Sequence, residues 1–503
     1  MTVISTTESD GRQDAGRLLE LGREVKELRD HVAAEGRRAF QDWRPNIHRL
    51  SFAASALNFS HYLALRHRDI RPLQRALMPY GLSSLGRLEG HVLATLDAVA
   101  AALQRMTAPG VESGMPFPAE QQFFRGERHL HENAVELFGP CSNGREVRIL
   151  VTLASEAVAS PDHVFDLAKR GMDAVRINCA HDDETVWAAM IDHVRAAERA
   201  LGRKIAILMD IAGPKCRTDE VWIAPDRKAL LSGDRLLLCR AASAESGRFA
   251  FRATCTMPEI FDRLEVGARV YVDDGRFAGR VEAIEKAGAV LLIERTKIGG
   301  GKLKAQKGLN FPDTDLGISP LTPGDLANLD FVCRHADMVG YSFVETAADI
   351  ELLQGELAKR RSDWDRMGLV AKIETPRAVT NLPALIVQAA GRQPLAVMIA
   401  RGDLAVEIGF ERLAEMQEEI LWLCEAAHVP VIWATQVLES LVKTGMPSRG
   451  DMTDAAMSAR ADCVMLNKGP NVGAGIAALD GLLRRMSENQ SKKTPQLRAL
   501  HSW

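Results

Sequence analysis

The fold is decided by four stretches: GLVAKIE at 368–374, LAVMIARG at 395–402, PVIWATQ at 430–436 and CVMLNKG at 463–469. Each is a short apolar run ending in polar residues. Helically spaced stretches such as ERLAEMQEEILWLCEAAH at 411–428 separate them. Four more runs stand earlier in the chain: RILVTLA at 148–154, DAVRIN at 173–178, KIAILMDI at 204–211 and DMVGYSFV at 337–344. Continuous apolar runs alternating with amphipathic helices read as parallel strands buried on both faces and joined by crossover helices. Eight of them close most simply into a (β/α)8 TIM barrel. A doubly wound open sheet is the alternative on pattern alone.

Outward from the barrel, the third and fourth runs are separated by residues 218–306, with the texture of short strands: DRLLLC, ARVYVDDGR and GRVEAIEKAGAVLLIERT. This reads as a small β-barrel domain inserted at the C-terminal face of the barrel, where active sites lie, and its natural role is a lid. Its exit, KIGGGKLKAQKG at 297–308, lacks the spacing of a phosphate loop and reads as a hinge. Asp273 and Asp274 read as the turn of a lid hairpin. Before the barrel, LLELGREVKELRDHV and HVLATLDAVAAALQRM space apolar residues for helices. After the polar stretch TAPGVESGMPFPAE, a third helical pattern ends at Gly139-Pro140. The organisation is therefore an all-helical front segment (1–145), barrel (146–217), lid (218–306), barrel again (307–490) and a tail (491–503).

Composition excludes several classes. Across 503 residues, 63 Lys plus Arg stand against 66 Asp plus Glu, a net charge of -3, so no broadly basic nucleic-acid binder is indicated. The 46% hydrophobic and 26% charged residues are those of a globular protein rather than a disordered one. No apolar run approaches the roughly 20 residues a membrane span requires, and the N-terminus lacks a signal-peptide pattern. The eight cysteines stand singly, without a CxxC pair, and read as buried free thiols in a reduced, cytoplasmic protein. His129 and His131 lack further ligands in sequence and read as surface residues.

Polar residues collect at the ends of the strand runs. Arg176, Asn178 and His181 follow the second; Asp210, Lys215 and Arg217 the third; Lys372 and Glu374 the fifth; Arg401, Gly402 and Asp403 the sixth; Thr435 and Gln436 the seventh; Asn467 and Lys468 the eighth. Residues two apart on a strand face one side, which puts Lys372 and Glu374 together at the rim. A Glu and an Asp from adjacent strands can hold a divalent cation and leave positions for water and substrate oxygens. Ammonium, cation and guanidinium converging on one point suit a phosphorylated carboxylic acid.

In order along the chain, RINCAH, DIAGPKCR, VYVDDG, KGLNFP, AKIET, MIARGDLAVE and ATQVLES resemble the motifs of the pyruvate kinase family over about residues 147–488. The resemblance implies an Mg²⁺- or Mn²⁺-dependent transfer of the phosphoryl group of phosphoenolpyruvate to ADP. It implies Lys372, Thr435 and Arg176 as catalytic residues and Glu374 and Asp403 as metal ligands. Gly402, Asp403, Thr435 and Arg176 would hold the substrate, and Asn178, His181, Arg217 and Lys307 would line the nucleotide side. It also brings departures. Asn178, Asp210 and Lys215 mark the family's monovalent-cation region, but Ala180 and Ile211 replace hydroxyl residues there and Lys215 replaces an acidic one, so K⁺ is not required on this reading. Asn467-Lys468-Gly469-Pro470 replaces the usual strand-eight motif, with Lys468 either a phosphate contact or a solvated lysine. A C-terminal allosteric domain is not expected, and the amphipathic front segment offers a homo-oligomer surface in its place. Two other classes remain open at this point: a metal-dependent carbon–carbon lyase acting through a pyruvate enolate, and a regulatory protein that binds phosphoenolpyruvate or pyruvate without turnover.

Overall fold

A computed structural model describes residues 5–107, 114–242 and 248–498, with side chains from Asp14 onward. Residues 1–4 of the front segment, 108–113 of the polar stretch and 499–503 of the tail lie outside the described residues.

The first three apolar runs form β1 (Arg148–Thr152), β2 (Ala174–Asn178) and β3 (Ala206–Asp210). The insertion supplies β4 (Thr218–Ile223), β5 (Arg235–Cys239), β6 (Phe251–Cys255), β7 (Arg269–Val272), β8 (Phe277–Glu285), β9 (Gly288–Arg295) and β10 (Leu309–Asn310). The remaining runs form β11 (Met338–Tyr341), β12 (Gly368–Ile373), β13 (Leu395–Ala400), β14 (Val431–Ala434) and β15 (Cys463–Leu466). The eight parallel strands close in the order β1-β15-β14-β13-β12-β11-β3-β2, the barrel the alternating pattern predicts. Strands β12 and β13 are buried along their whole length, because helices cover their outer faces and side chains fill the interior. Several of these helices start on the hydroxyl that the sequence places there. Thr322, Thr346 and Ser448 each form a capping box with an aspartate three residues on, and Thr375 caps its helix alone.

The inserted strands form one seven-stranded mixed sheet, ordered β10-β7-β8-β9-β5-β6-β4, with β5 and β6 the parallel pair. Its edges meet where Arg217 bridges Gly308, so the sheet curls toward closure around its own core of Leu236, Phe251, Val270, Phe277 and Leu291. Strand β10 carries this sheet beyond the expected boundary at 306. Two of the three exit glycines are held by close neighbours, while Gly299 has open space around it. Gly299 and Gly300 adopt φ of +81° and +76°, and Gly301 exchanges both backbone hydrogen bonds with Leu230. A β-carbon on Gly301 would lie 2.7 Å from the Phe277 ring, so this glycine permits close packing rather than motion.

The front segment folds as α1 (Ser5–Trp43), α2 (Ala53–Arg66), α3 (Arg71–Leu77), α4 (Val92–Thr107), α5 (Glu120–Phe123) and α6 (Arg125–Phe138). Helix α6 ends at the glycine the sequence marks and drives Leu137 and Phe138 into the N-terminal end of the barrel. There they join Leu150, Ala174, Leu208, Met338, Val370, Met398 and Ile432 in one buried cluster. Gly368 at the start of β12 makes room, since a β-carbon there would stand 2.6 Å from Leu137. Polar ties complete the seam: Asn58 donates to the Ala426 carbonyl at 2.8 Å, and Asn133 to that of His428 at 2.7 Å. Of the two paired histidines, His131 is exposed, whereas His129 is partly buried with its ring 5.8 Å from that of His428. The tail begins as a short hairpin, Gln490–Ser491 with Thr494–Pro495, pinned by Lys492 to Asp462 at 2.7 Å. All eight cysteines are free, seven of them buried. Among the described residues, no helix is long and apolar enough to cross a membrane.

Candidate active site

At the other end of the barrel the strand termini converge. Lys372, the fifth residue of β12, is buried and donates to the Ser342 hydroxyl at 2.7 Å. Its ammonium lies 3.1 Å from Glu374 and 3.4 Å from Asp210. Burial alone would lower the pKa of this lysine, but Asp210 and Glu374 outweigh it and the pKa is raised. The proton is therefore fixed on Lys372. Asp210 ends β3 opposite Asn178 of β2, and Arg176 grips it through Nε at 2.7 Å and again through Nη2. The cost of burying Asp210 is overcome by Arg176 and Lys372, and its pKa is lowered.

Glu374 accepts the backbone N–H of Phe343 at 2.7 Å through Oε2. Burial raises its pKa, Lys372 opposes the rise, and the charge of Asp403 adds to it. Asp403 stands in the first turn of the helix Arg401–Ile408, directly after β13. Two carboxylates that repel one another in a desolvated place form the hard oxygen set a divalent cation relieves, so the residues fit Mg²⁺ or Mn²⁺. Among the described residues no group of three or more acidic, His or Cys side chains is placed to hold a metal ion by itself, so substrate and water oxygens would complete the shell.

Lys215 does not join the Asn178 and Asp210 region where the sequence reading put it. The chain turns at Gly213, φ +66°, and the Lys215 ammonium reaches Asp403 at 2.6 Å instead. Positive charge at Asp210 comes from Arg176 and Lys372.

Thr435 follows β14, and its Oγ1 is buried with no hydrogen-bond partner. A β-carbon on Gly402 would lie 3.6 Å from that oxygen, so the two residues border one point. The backbone here is strained: Thr435, Gln436 and Leu438 all take left-handed φ, +67°, +57° and +48°. For residues with a β-carbon this costs about 1–3 kcal/mol each and persists only where neighbours impose it.

Beyond the ends of β1 and β2, a cavity of about 350 Å³ is walled by Arg176, Asn178, His181, Asn467 and Lys468, among others. Burial and then the Lys468 ammonium lower the pKa of His181; Asp182 opposes them, and Arg217 and Arg176 add smaller lowering pulls. Arg217 and Lys307 do not line this cavity. Arg217 bridges to Gly308 at the lid base, and Lys307 pairs with Asp273 at 3.0 Å. Asp273 and Asp274 both take left-handed φ, as a tight turn requires. A larger cavity of about 800 Å³ opens on the other flank, where Lys215, Phe343, Arg377 and Glu407 meet the lid exit. There Asn310 donates to the buried Glu407 at 2.8 Å, and burial pushes that carboxyl up to about 7.

Ser342, Phe343 and Asp454 take part in this site without having been singled out in the sequence; Arg401 stands there at the end of the sixth strand run with no role assigned. Ser342 ends the fourth strand run, and the rule of polar residues at strand ends reaches it. The backbone N–H of Phe343 and the pairing of Arg401 with Asp454 carry no such signal.

A barrel with a buried lysine and two carboxylates at its C-terminal rim, under an inserted β domain, has the make-up of a metal-assisted phosphotransferase. The pyruvate kinase barrel domain matches residues 144–474. The chain is 33% identical over 353 residues to a pyruvate kinase of Agrobacterium vitis, covering 70% of each chain. To one of Thermococcus litoralis it is 32% identical over 335 residues, covering 65% of this chain and 66% of that one. Among solved structures, a pyruvate kinase from Cryptosporidium parvum shares the fold with a TM-score of 0.61 at 23% identity, over 70% of this chain and 72% of that one. The chain belongs to the pyruvate kinase family.

Proposed function

We propose that the protein transfers the phosphoryl group of phosphoenolpyruvate to ADP in a reaction that depends on Mg²⁺ or Mn²⁺. The observation that carries this reading is the Lys372 ammonium, buried between Asp210, Glu374 and Ser342 beside the Arg176 guanidinium. In the transfer, the bond from phosphorus to the enol oxygen breaks as a bond to a terminal ADP oxygen forms. The enolate left behind takes one proton at its methylene carbon and becomes pyruvate. Lys372 is placed to hold the developing charge on the enol oxygen, and Arg176 to hold the phosphoryl oxygens. Both are preorganised by Asp210, so little reorientation accompanies the reaction. The backbone at Gly402 opens a helix that would take the substrate carboxylate. The Thr435 hydroxyl, buried and unpartnered, stands beside it on the path of the proton. Glu374 and Asp403 would hold the divalent ion, which when bound neutralises charge on the phosphate and carboxylate oxygens. Arg176, Asn178, His181 and Lys468 would receive the ADP phosphates, with Arg217 and Lys307 above them at the lid base. Lys468 is exposed at the rim of the cavity that His181 lines, within reach of a phosphate there.

The test is pyruvate formation from phosphoenolpyruvate with Mg²⁺, with and without ADP, in buffer whose only monovalent cation is tetramethylammonium. Turnover that requires ADP supports the reading; absence of turnover under every nucleotide condition refutes it. The rate is expected to change by less than about twofold when K⁺ is added, because Arg176 and Lys372 already neutralise Asp210. A many-fold rescue by K⁺ would show that a monovalent site survives without the hydroxyls replaced by Ala180 and Ile211.

A further inference from the structure

The strained turn after β14 is held from outside the reaction centre. Arg401, 8% exposed, donates Nε to the Ala434 carbonyl at 3.0 Å and Nη2 to the Thr435 carbonyl at 2.6 Å. Its guanidinium lies 4.6 Å from the centroid of the Trp433 ring. Asp454, on the helix Arg449–Met457, grips the same guanidinium with both oxygens, one contact being 2.9 Å to Nη2. One planar fork thus binds two successive carbonyls and a carboxylate, a geometry lysine cannot reproduce. Those carbonyls lie on either side of the Thr435 Cα, a β-branched residue at φ +67° whose hydroxyl is buried with no partner among the described residues.

We infer that Arg401 and Asp454 are positioning residues for the Thr435 hydroxyl, fixing the turn so that this oxygen faces the point bordered by Gly402. The inference rests on the proposed phosphotransfer reading and narrows it: Arg401 and Asp454 act on the proton step at the methylene carbon, through Thr435, and not on substrate binding. Without the carboxylate the fork is free to rotate off the carbonyls and the turn relaxes. A displacement of about 1 Å in a reacting group costs on the order of 10²-fold in rate.

The readout is the exchange of pyruvate methyl protons with deuterated water in the presence of Mg²⁺ and ATP, alongside turnover and KM for phosphoenolpyruvate. Exchange reports the reverse of the protonation step. Asp454→Asn keeps the size of the side chain but loses its charge. It is expected to lower exchange by about 10²-fold, with KM for phosphoenolpyruvate nearly unchanged, while the thermal midpoint falls because the buried Arg401 loses its carboxylate. Asp454→Glu, which restores the carboxylate, should recover a large part of the loss. Arg401→Lys should reproduce it, and serves if Asp454→Asn does not fold. Unchanged exchange in Asp454→Asn or Arg401→Lys overturns the inference, as does a loss confined to KM. A wild-type enzyme that forms no pyruvate sinks the phosphotransfer reading itself. A wild-type enzyme that turns over while the variants match it sinks only the positioning role.

Discussion

The two ends of the barrel are built on the same eight strands and solve opposite problems. At the N-terminal end, Leu137 and Phe138 of the front segment fill the mouth against Leu150, Met338, Met398 and Ile432, and the charges buried nearby, Arg145 with Asp173 at 3.0 Å, are closed off as a structural pair. At the C-terminal end Lys372, Asp210 and Glu374 are buried together and balance one another. Burial of apolar area lowers free energy in proportion to area and tolerates local change. Burial of charge is neutral at best and fails sharply when one partner goes. Stability therefore belongs to the lower end and chemistry to the upper, and mutations at the two ends should separate cleanly.

The largest separation is expected from Lys372→Met. Turnover should fall by at least about 10³-fold, since a preorganised positive charge at a developing oxyanion is lost, while affinity for phosphoenolpyruvate changes little. The same change leaves Glu374 without its cation and Asp210 with Arg176 alone, so a stability loss of up to about 3–5 kcal/mol accompanies it. Steady-state kinetics with a denaturation curve read both. Near-normal turnover would break the assignment of Lys372 and with it the contrast between the two ends.

Phe138→Ala sharpens the comparison from the other side. The side chain is fully buried, and its removal should cost about 3–5 kcal/mol of stability while leaving KM and turnover of the folded fraction nearly unchanged. A chain trimmed of residues 1–145 should go further and aggregate, because it uncovers the apolar mouth. That outcome bears on the expected homo-oligomer surface. The front helices direct much of their apolar area to one another and to the barrel, which leaves less for a second copy.

How much of this was legible in the sequence differs between the same two ends. The barrel could be read because its strands repeat a local pattern, and Lys372, Glu374, Asp403 and Thr435 could be read because strand ends carry polar residues. The reach of Lys215 to Asp403 could not, since it depends on where the turn at Gly213 aims a long side chain across the rim. Nor could the plug. Helix α6 shows helical periodicity in the sequence, yet nothing local says that its last turn enters the barrel. The glycine exit of the lid misled for a related reason: left-handed φ and close approach to Phe277 use the same residue that flexibility would.

The seam beneath the barrel gives a smaller and more discriminating prediction. His428 is buried between the Ser55 hydroxyl at 2.9 Å from Nδ1 and the Gly90 carbonyl at 3.0 Å from Nε2. That pairing fixes the neutral tautomer with the proton on Nε2, and burial lowers its pKa to about 4. A folded-state pKa below the unfolded one means the unfolded chain binds the proton first. The stabilising contribution is present above about pH 6.5 and is lost as pH falls toward 4, about 2 kcal/mol of it by pH 5. Glu425 on the same seam works in the opposite sense. Burial, and after it the charge of Glu89, pushes its carboxyl up to about 7, so its contribution grows as pH falls below that value. The two partly cancel in the wild-type protein, and its own pH profile is a poor witness. The difference between wild type and His428→Gln isolates the histidine, since Gln can keep a donor to the Gly90 carbonyl without titrating. Between pH 7 and pH 5 the urea midpoint of wild type should fall relative to that of the variant, by the equivalent of about 2 kcal/mol. Equal slopes for the two proteins would mean that water reaches His428 and that this part of the seam is looser than the sealed mouth around Phe138.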